Sequence, residues 1–164
     1  MDVYKMLPEG TLAELIDGIL YMSSSPIDAH QRVVTRLLGQ IHFFVDQHDL
    51  GEVFTAPFDV YLDEHSNAVQ PDILFIEKEN LAIVKGHVHG VPDLIIEILS
   101  EGNSEHDMVR KRNLYEKSGV KEYWIIHPTT RIVTGYQLRG ESFKELETTS
   151  GQINSQLLKH TFIF

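Results

Sequence analysis

The sequence predicts an α/β (α+β) fold in which helices flank a mixed central sheet. Two segments, residues 28–48 and 104–118, have the features of helices. Shorter segments rich in β-branched and aromatic residues have the composition of strands. Their order of a helix, three strands, a helix and two strands is typical of a sheet with a helix on each side.

The first predicted element is a β-hairpin after a turn at residues 8–11. Asp17-Gly18 separates Leu15-Ile16 from Ile19-Leu20-Tyr21, and an Asp-Gly step between apolar runs favours a tight hairpin. The helix over 28–48 follows a Ser-Ser-Ser-Pro segment, and we expect Asp28 to cap it. Its apolar positions are spaced as on one face of a helix: Val33, Val34, Leu37, Leu38, Ile41, Phe44 and Val45.

Three strands are expected next, over residues 53–62, 69–76 and 94–99. The first is interrupted by Pro57, and the third is the most apolar, which predicts a central buried position. The second helix should begin at a cap on Asn103 or Ser104 and stop at Gly119. Two further strands are predicted at 123–126 and 132–138, and residues 157–158 and 162–164 should pack on the core.

Composition sets the broad class of protein. A chain of 164 residues predicts one domain spanning 1–164, and 42% hydrophobic residues are enough for a normal core. The absence of cysteine excludes disulfides, thiolate zinc sites and cysteine nucleophiles. We find neither a signal peptide nor an apolar run of membrane-spanning length, which predicts a cytoplasmic protein that does not enter the membrane.

The net charge of −10 argues against a protein that coats nucleic acid, because phosphate binding depends mainly on Lys and Arg. It does not exclude a nuclease, whose carboxylates are neutralised by a divalent ion.

Glu97 is the most informative single residue. It interrupts the apolar segment Leu94-Ile95-Ile96-Glu97-Ile98-Leu99, where an ionised carboxylate costs several kcal/mol unless it is paired or binds a metal. Alternation along a strand puts Asp93 on the same face, but about 13 Å away, too far to share one ion. An outward-facing Glu97, or one paired with a buried Arg, remains an alternative.

A second carboxylate must then come from a neighbouring strand, and Asp72 in Gln70-Pro71-Asp72 is the candidate. Its simpler interpretation is a solvated acid at the start of a strand. Lys111 lies on the helix after the Glu97 strand, on one face with Asp107 and Tyr115 by i, i+4 spacing. Its simpler interpretation is a surface lysine paired with Asp107.

Together these residues suggest a chemistry. Two carboxylates suit Mg²⁺ or Mn²⁺, the ion polarises a phosphate and acidifies a bound water, and an ammonium offsets developing charge.

Several motifs resemble the Uma2 family, which has a restriction-endonuclease-like fold of the PD-(D/E)xK superfamily. The similar segments cover roughly residues 10–140: Glu14 to Gly18, residues 26–30, Gln70-Pro71-Asp72, residues 92–100, and residues 107–124 with Gly119-Val120-Lys121-Glu122-Tyr123-Trp124.

The resemblance implies that Asp72 and Glu97 are the two motif acids and that the backbone carbonyl of Ile98 completes the metal site. The usual lysine two positions after the second acid is replaced by Leu99, so its role passes to Lys111 on the following helix. Glu14 and His30 would be supporting residues, with Asp107 and Tyr115. The expected activity is Mg²⁺- or Mn²⁺-dependent cleavage of DNA, and a homodimer is expected because dimers are common among nuclease-like folds.

Two hypotheses compete with a nuclease. A binding or regulatory module that keeps the fold without catalysis is favoured by the net charge. A histidine-based metal protein would instead use His87 and His89, although their flanking glycines predict a flexible loop.

Overall fold

The computed structural model describes residues 1–100 and 105–164. The helices found there are α1 (Asp2–Lys5), α2 (Asp28–Gln47) and α3 (Glu105–Ser118), with a 3₁₀ helix at Lys78–Ile83. The strands are β1 (Ala13–Ile16), β2 (Ile19–Met22), β3 (Gly51–Thr55), β4 (Val60–Tyr61), β5 (Ala68–Val69), β6 (Ile73–Glu77), β7 (Val84–Lys85), β8 (His87–His89), β9 (Leu94–Ile98), β10 (Glu122–Ile126), β11 (Ile132–Arg139), β12 (Ser142–Glu145), β13 (Thr149–Ser150), β14 (Gln152–Ser155) and β15 (His160–Ile163).

The central sheet is mixed, as predicted. Its order is β12-β11-β10-β9-β6-β3, and β13 pairs with β11. Strand β9 lies in the interior, parallel to β10 and antiparallel to β6. Because β9 has neighbours on both edges and both faces, its side chains are buried throughout.

The two faces of the central sheet form separate apolar clusters. Ile96 of β9 packs in one cluster with Leu37 and Ile41 of α2. Ile95, pointing the opposite way, packs in the other cluster with Tyr115 of α3. Strand alternation therefore places Glu97 on the α3 face of the sheet.

A second sheet, of order β2-β1-β5-β4-β8-β7, covers part of the α3 face. It contains the predicted hairpin, whose turn residues Asp17 and Gly18 both have positive φ, 50° and 77°. That conformation explains the Asp-Gly pair, since Gly adopts positive φ without strain and Asp tolerates it.

The predictions of single strands at 53–62 and 69–76 were wrong. Each segment divides between the two sheets: β3 and β6 belong to the central sheet, whereas β4 and β5 belong to the second. The breaks fall around Pro57 and Pro71, which have no backbone N–H to donate to a ladder. The chain therefore crosses between sheets at these prolines.

The predicted cap on α2 was also wrong. Ile27 occupies the N-cap position, and Asp28 is the first helical residue, with its carboxylate 3.2 Å from Arg32 Nε. The predicted cap of the second helix, on Asn103 or Ser104, lies outside the described residues.

His87 and His89 lie in strand β8, paired with β4 and β7, so the expected flexible loop was wrong. The C-terminal prediction was confirmed for Leu158, Phe162 and Phe164, which join the α2-face cluster, and for Leu157, which is partly buried and packs against it. Ile163 instead points outward and is 64% exposed.

None of the helices in the described part of the chain is long and apolar enough to span a membrane. The organisation of 1–164 as one domain stays a prediction.

We predict that Gly135→Ala destabilises the fold by about 1–3 kcal/mol, through overpacking of the core. A methyl group at Gly135 would lie 2.2 Å from Cζ3 of buried Trp124 on the paired strand. Urea denaturation measures the effect. Gly39→Ala is the control: this exposed glycine in α2 has open space around it, so alanine should stabilise by about 0.4–1 kcal/mol. A Gly135→Ala protein as stable as the parent would contradict the packing.

Candidate active site

The two predicted acids are brought together by strand register. Ile73 of β6 pairs with Ile96 of β9 in an antiparallel ladder, so continuing that register sets Asp72 opposite Glu97. Residues opposite each other in such a pair project from the same face. The Ile98 N–H donates to Asp72 Oδ2 at 2.7 Å, which ties the first acid to the strand of the second.

Lys111 reaches this pair from α3. Its Nζ lies 3.1 Å from Glu97 Oε1, and 2.9 and 2.8 Å from the two carboxylate oxygens of Glu14. The side chain of Lys111 is only 12% exposed, so the ammonium is held between two acids largely out of water. The pKa of Lys111 is raised well above its ordinary value, because the charges of Glu14 and Glu97 outweigh the opposing effect of burial. Lys111 is therefore a buried cation rather than a surface lysine.

Glu97 is the centre of the arrangement. Tyr115, fully buried beneath it, donates its hydroxyl to Glu97 Oε1 at 2.6 Å. The pKa of Glu97 is raised to about 7: burial raises it most, the Lys111 charge opposes this, and the negative charges of Glu14 and Asp72 add to it. A carboxyl group poised near neutrality in a cavity is typical of a functional site.

Tyr115 itself stays protonated. Burial and the nearby charge of Glu97 raise the pKa of this phenol well above its ordinary value. Its O–H is consequently a permanent donor to Glu97.

His30 holds the other acid from α2. Its Nε2 lies 3.1 Å from Asp72 Oδ1, and its Nδ1 lies 2.9 Å from Gln31 Oε1. Burial lowers the pKa of His30, but the hydrogen bond and charge of Asp72 outweigh it and raise the pKa overall. Both oxygens of Asp72 are thus oriented by neighbours, one by His30 and one by the Ile98 N–H.

Glu14 lies on β1 in the second sheet, facing Lys111. Besides the ammonium, it accepts the Gln70 N–H at 3.1 Å through Oε1. The site is therefore assembled from both sheets and two helices.

These groups surround a cavity of about 260 Å³. Residues 1–100 and 105–164 contain no group of three or more His, Asp or Glu side chains that could hold a metal ion by themselves. Two carboxylates are nevertheless a suitable donor set for Mg²⁺, which keeps several waters and uses one or two carboxylates plus substrate phosphate. Among the described residues, the hydrogen bonds that Glu97 accepts from Lys111 and Tyr115 both use Oε1, so Oε2 would be available to an ion.

Most of the predicted site residues converge on this cavity. Its walls include Glu14, His30, Asp72, Glu97, Ile98 and Lys111, and Tyr115 lies directly behind Glu97. Asp107 lies outside the walls, and its Oδ1 accepts from Arg110 Nη1 at 3.1 Å.

Sequence reasoning missed Gln70, which both lines the cavity and donates to Glu14. Its position immediately before Pro71-Asp72 was the available signal. Ser23 and Ser24, taken only as a break before the helix, also line the cavity.

Comparison with known proteins identifies the family and the fold. The sequence profile of the Uma2 family, described as "Putative restriction endonuclease", matches residues 2–161. A crystal structure from Anabaena variabilis, described as "a putative nuclease belonging to DUF820", is similar in fold with a TM-score of 0.75. It is 20% identical, and the match covers 91% of this chain and 83% of that chain. No curated protein matches the sequence.

Proposed function

The chain belongs to the Uma2 family, and from that membership we propose that it is a Mg²⁺- or Mn²⁺-dependent endonuclease that hydrolyses DNA phosphodiester bonds. The observation that carries the proposal is Glu97, a carboxylate only 8% exposed on a central strand, beside Asp72 and a buried lysine. Holding a buried carboxylate and two partly buried charged groups around a cavity is costly, and a catalytic role explains why the chain does so.

Asp72 and Glu97 are proposed as the residues that would hold the ion, with the Ile98 carbonyl as a further ligand. A bound divalent ion polarises the scissile phosphate and lowers the pKa of a coordinated water. His30 and the Ile98 N–H fix the orientation of the Asp72 carboxylate before any ligand arrives. Preorganised dipoles of this kind avoid reorganisation during reaction.

Lys111 is proposed to offset negative charge that develops on the phosphate. Glu14 also holds its ammonium, at 2.8 Å, and Tyr115 donates to the Glu97 oxygen that contacts it. Glu14, His30 and Tyr115 therefore act as positioning residues. Asp107, one turn before Lys111, is proposed to support the helix through its pair with Arg110.

Cleavage of DNA tests the activity directly. Supercoiled plasmid and single-stranded DNA are incubated with Mg²⁺ or Mn²⁺, and with a chelator as control. We expect nicked or linear products only with a divalent ion. An inert protein on both substrates with both ions would contradict the proposal.

One alternative function has a specific observation in its favour. Lys111 is already paired with two acids, and the chain as a whole carries a net charge of −10, so a phosphate meets little uncompensated positive charge. A binding or regulatory module that retains the fold without cleavage would tolerate this arrangement. Ion binding at the two acids distinguishes the functions, since such a module need not bind one.

The raised pKa of Glu97 gives a pH prediction. Its ordinary value is 4.5 and its folded value is about 7, so the folded state binds the proton more tightly. The stability that proton binding by Glu97 contributes is therefore complete below about pH 4.5 and is lost as pH rises through 7. A divalent ion competes with that proton, so the stabilisation by Mn²⁺ should grow between pH 5.5 and 8.

Thermal unfolding with Mn²⁺ or a chelator measures the difference. The Mn²⁺ concentration is the same at both pH values, about 100 times the Kd at pH 8. Tm should then rise by about 5–10 °C at pH 8 and by less at pH 5.5. Glu97→Gln should abolish most of the rise. A gain that is equal at both pH values, or that survives in Glu97→Gln, would place the ion elsewhere.

A further inference from the structure

A second cavity, of about 440 Å³, adjoins the candidate active site. Pro57 and Gln70 form walls of both cavities. Gln70 links them chemically, since its backbone N–H donates to Glu14 in the first and its Nε2 donates to Asp59 Oδ1 at 2.8 Å in the second. The two cavities therefore lie side by side.

The second cavity is walled by aromatic rings on three elements. Phe58 lies in the β3–β4 connection, Tyr61 in β4 and His87 in β8. The ring centroid of His87 is 6.0 Å from that of Phe58 and 5.9 Å from that of Tyr61. Tyr4 of α1 meets Tyr61 edge-to-face at 6.2 Å. Because His87 is exposed and Phe58 and Tyr61 are only partly buried, these rings are accessible from solvent.

The polar groups of this cavity favour a neutral ring with N–H donors over a phosphate. Asp59 is its central acid and accepts from the hydroxyls of Tyr4 at 2.8 Å and Tyr61 at 3.4 Å. A phosphate would be repelled by Asp59 and Glu9, and Lys5, which also lines the cavity, has its ammonium over the Tyr61 ring, 5.6 Å from the centroid. Nucleobases have both a π-face for stacking and edge N–H groups for a carboxylate.

We propose that this second cavity is a nucleobase subsite, which takes a base of the DNA strand whose phosphate lies at Asp72 and Glu97. This proposal rests on the proposed function. It explains how a protein with few basic residues binds a DNA strand. Base–aromatic stacking supplies affinity without phosphate contacts and tolerates different sequences.

Equilibrium binding tests the subsite independently of cleavage. A fluorescein-labelled single-stranded oligonucleotide is compared with an abasic strand of equal length and charge, by fluorescence anisotropy with a chelator present. We expect the intact protein to bind the base-containing strand about tenfold more tightly than the abasic one. Equal affinity for both strands, or binding of neither, would overturn the subsite.

Side-chain truncation then locates the contact. His87→Ala and Phe58→Ala should lower the preference for the base-containing strand towards parity, and His87 is exposed, so its loss should leave the fold intact. His89→Ala is the matched control: it lies on the same strand and stacks on Tyr61 at 5.1 Å, but outside the cavity wall. A preference unchanged by His87→Ala and Phe58→Ala, or lost equally in His89→Ala, would overturn the assignment.

The two proposals fail separately. A protein that prefers the base-containing strand but cleaves nothing retains the subsite and loses the nuclease activity. A protein that cleaves DNA with no base preference retains the activity and loses the subsite.

Discussion

Glu97→Gln is expected to reduce DNA cleavage by about a thousandfold. The change keeps the shape of the side chain, and the amide oxygen can still accept from Tyr115 and Lys111, but the negative charge that would bind the ion is gone. Stabilisation by a metal ion contributes several kcal/mol to such a transition state, and each 1.36 kcal/mol is about a factor of ten in rate. The rate of plasmid nicking with saturating Mg²⁺ or Mn²⁺ gives the measurement.

Folding is expected to survive this change. Glutamine is neutral, so it avoids the cost of burying a charge, while Glu14 remains to pair with Lys111. Circular dichroism and urea denaturation should show a native protein, which separates loss of chemistry from loss of structure.

Asp93→Asn provides the matched control. Asp93 immediately precedes the same strand, is only 3% exposed and pairs with Lys121 at 2.9 Å, yet it lies outside the cavity. This variant should lose stability, because Asp93 also accepts from the Glu77 N–H and the Asn80 side chain. It should nevertheless cleave at the parental rate when folded. If Glu97→Gln cut DNA as fast as Asp93→Asn, Glu97 would have no catalytic role.

Lys111→Met is expected to lower the free energy of unfolding by about 3–5 kcal/mol at pH 8. Removing the ammonium leaves Glu14 and Glu97 as buried acids without their shared counter-charge, and breaking a buried ion pair from one side has this typical cost. Domains of this kind have only about 5–15 kcal/mol of stability, so the loss is large. Urea denaturation at 25 °C measures it.

The electrostatic origin of this loss makes it depend on pH and on Glu14. Lowering the pH towards 5 should reduce the penalty, because the pKa of Glu97 is raised to about 7 and its protonation removes part of the uncompensated charge. Adding Glu14→Gln to Lys111→Met should restore part of the stability, a coupling that a double-mutant cycle quantifies. Lys117→Met, on the exposed side of the same helix, should change stability by less than about 0.5 kcal/mol.

A Lys111→Met protein as stable as Lys117→Met would show that the ion pairs contribute nothing. The folded fraction of Lys111→Met should also be inactive, because the proposed role of the ammonium at the phosphate is lost. Cleavage at the parental rate by folded Lys111→Met would remove Lys111 from the site.

The sequence alone determined the features that depend on near neighbours in the chain. The apolar spacing over 28–48 predicted α2, and the Asp-Gly pair at 17–18 predicted the β1–β2 hairpin. The apolar segment around Glu97 predicted a central buried strand, with a buried carboxylate as one of two interpretations of Glu97. A helical period of 3.6 residues, a turn-forming residue pair and an apolar run are all readable within a short segment.

Features that depend on distant segments were decided only by the tertiary structure. Lys111 pairs with Glu14, and β8 pairs with β4, so both contacts join residues far apart in sequence. The division of segments 53–62 and 69–76 between two sheets likewise depends on their distant partner strands. A buried charge is stable only if its partners arrive from elsewhere in the fold, and no local pattern specifies them. The sequence therefore identified the groups capable of chemistry, whereas the packing of two sheets and two helices decided which of them meet.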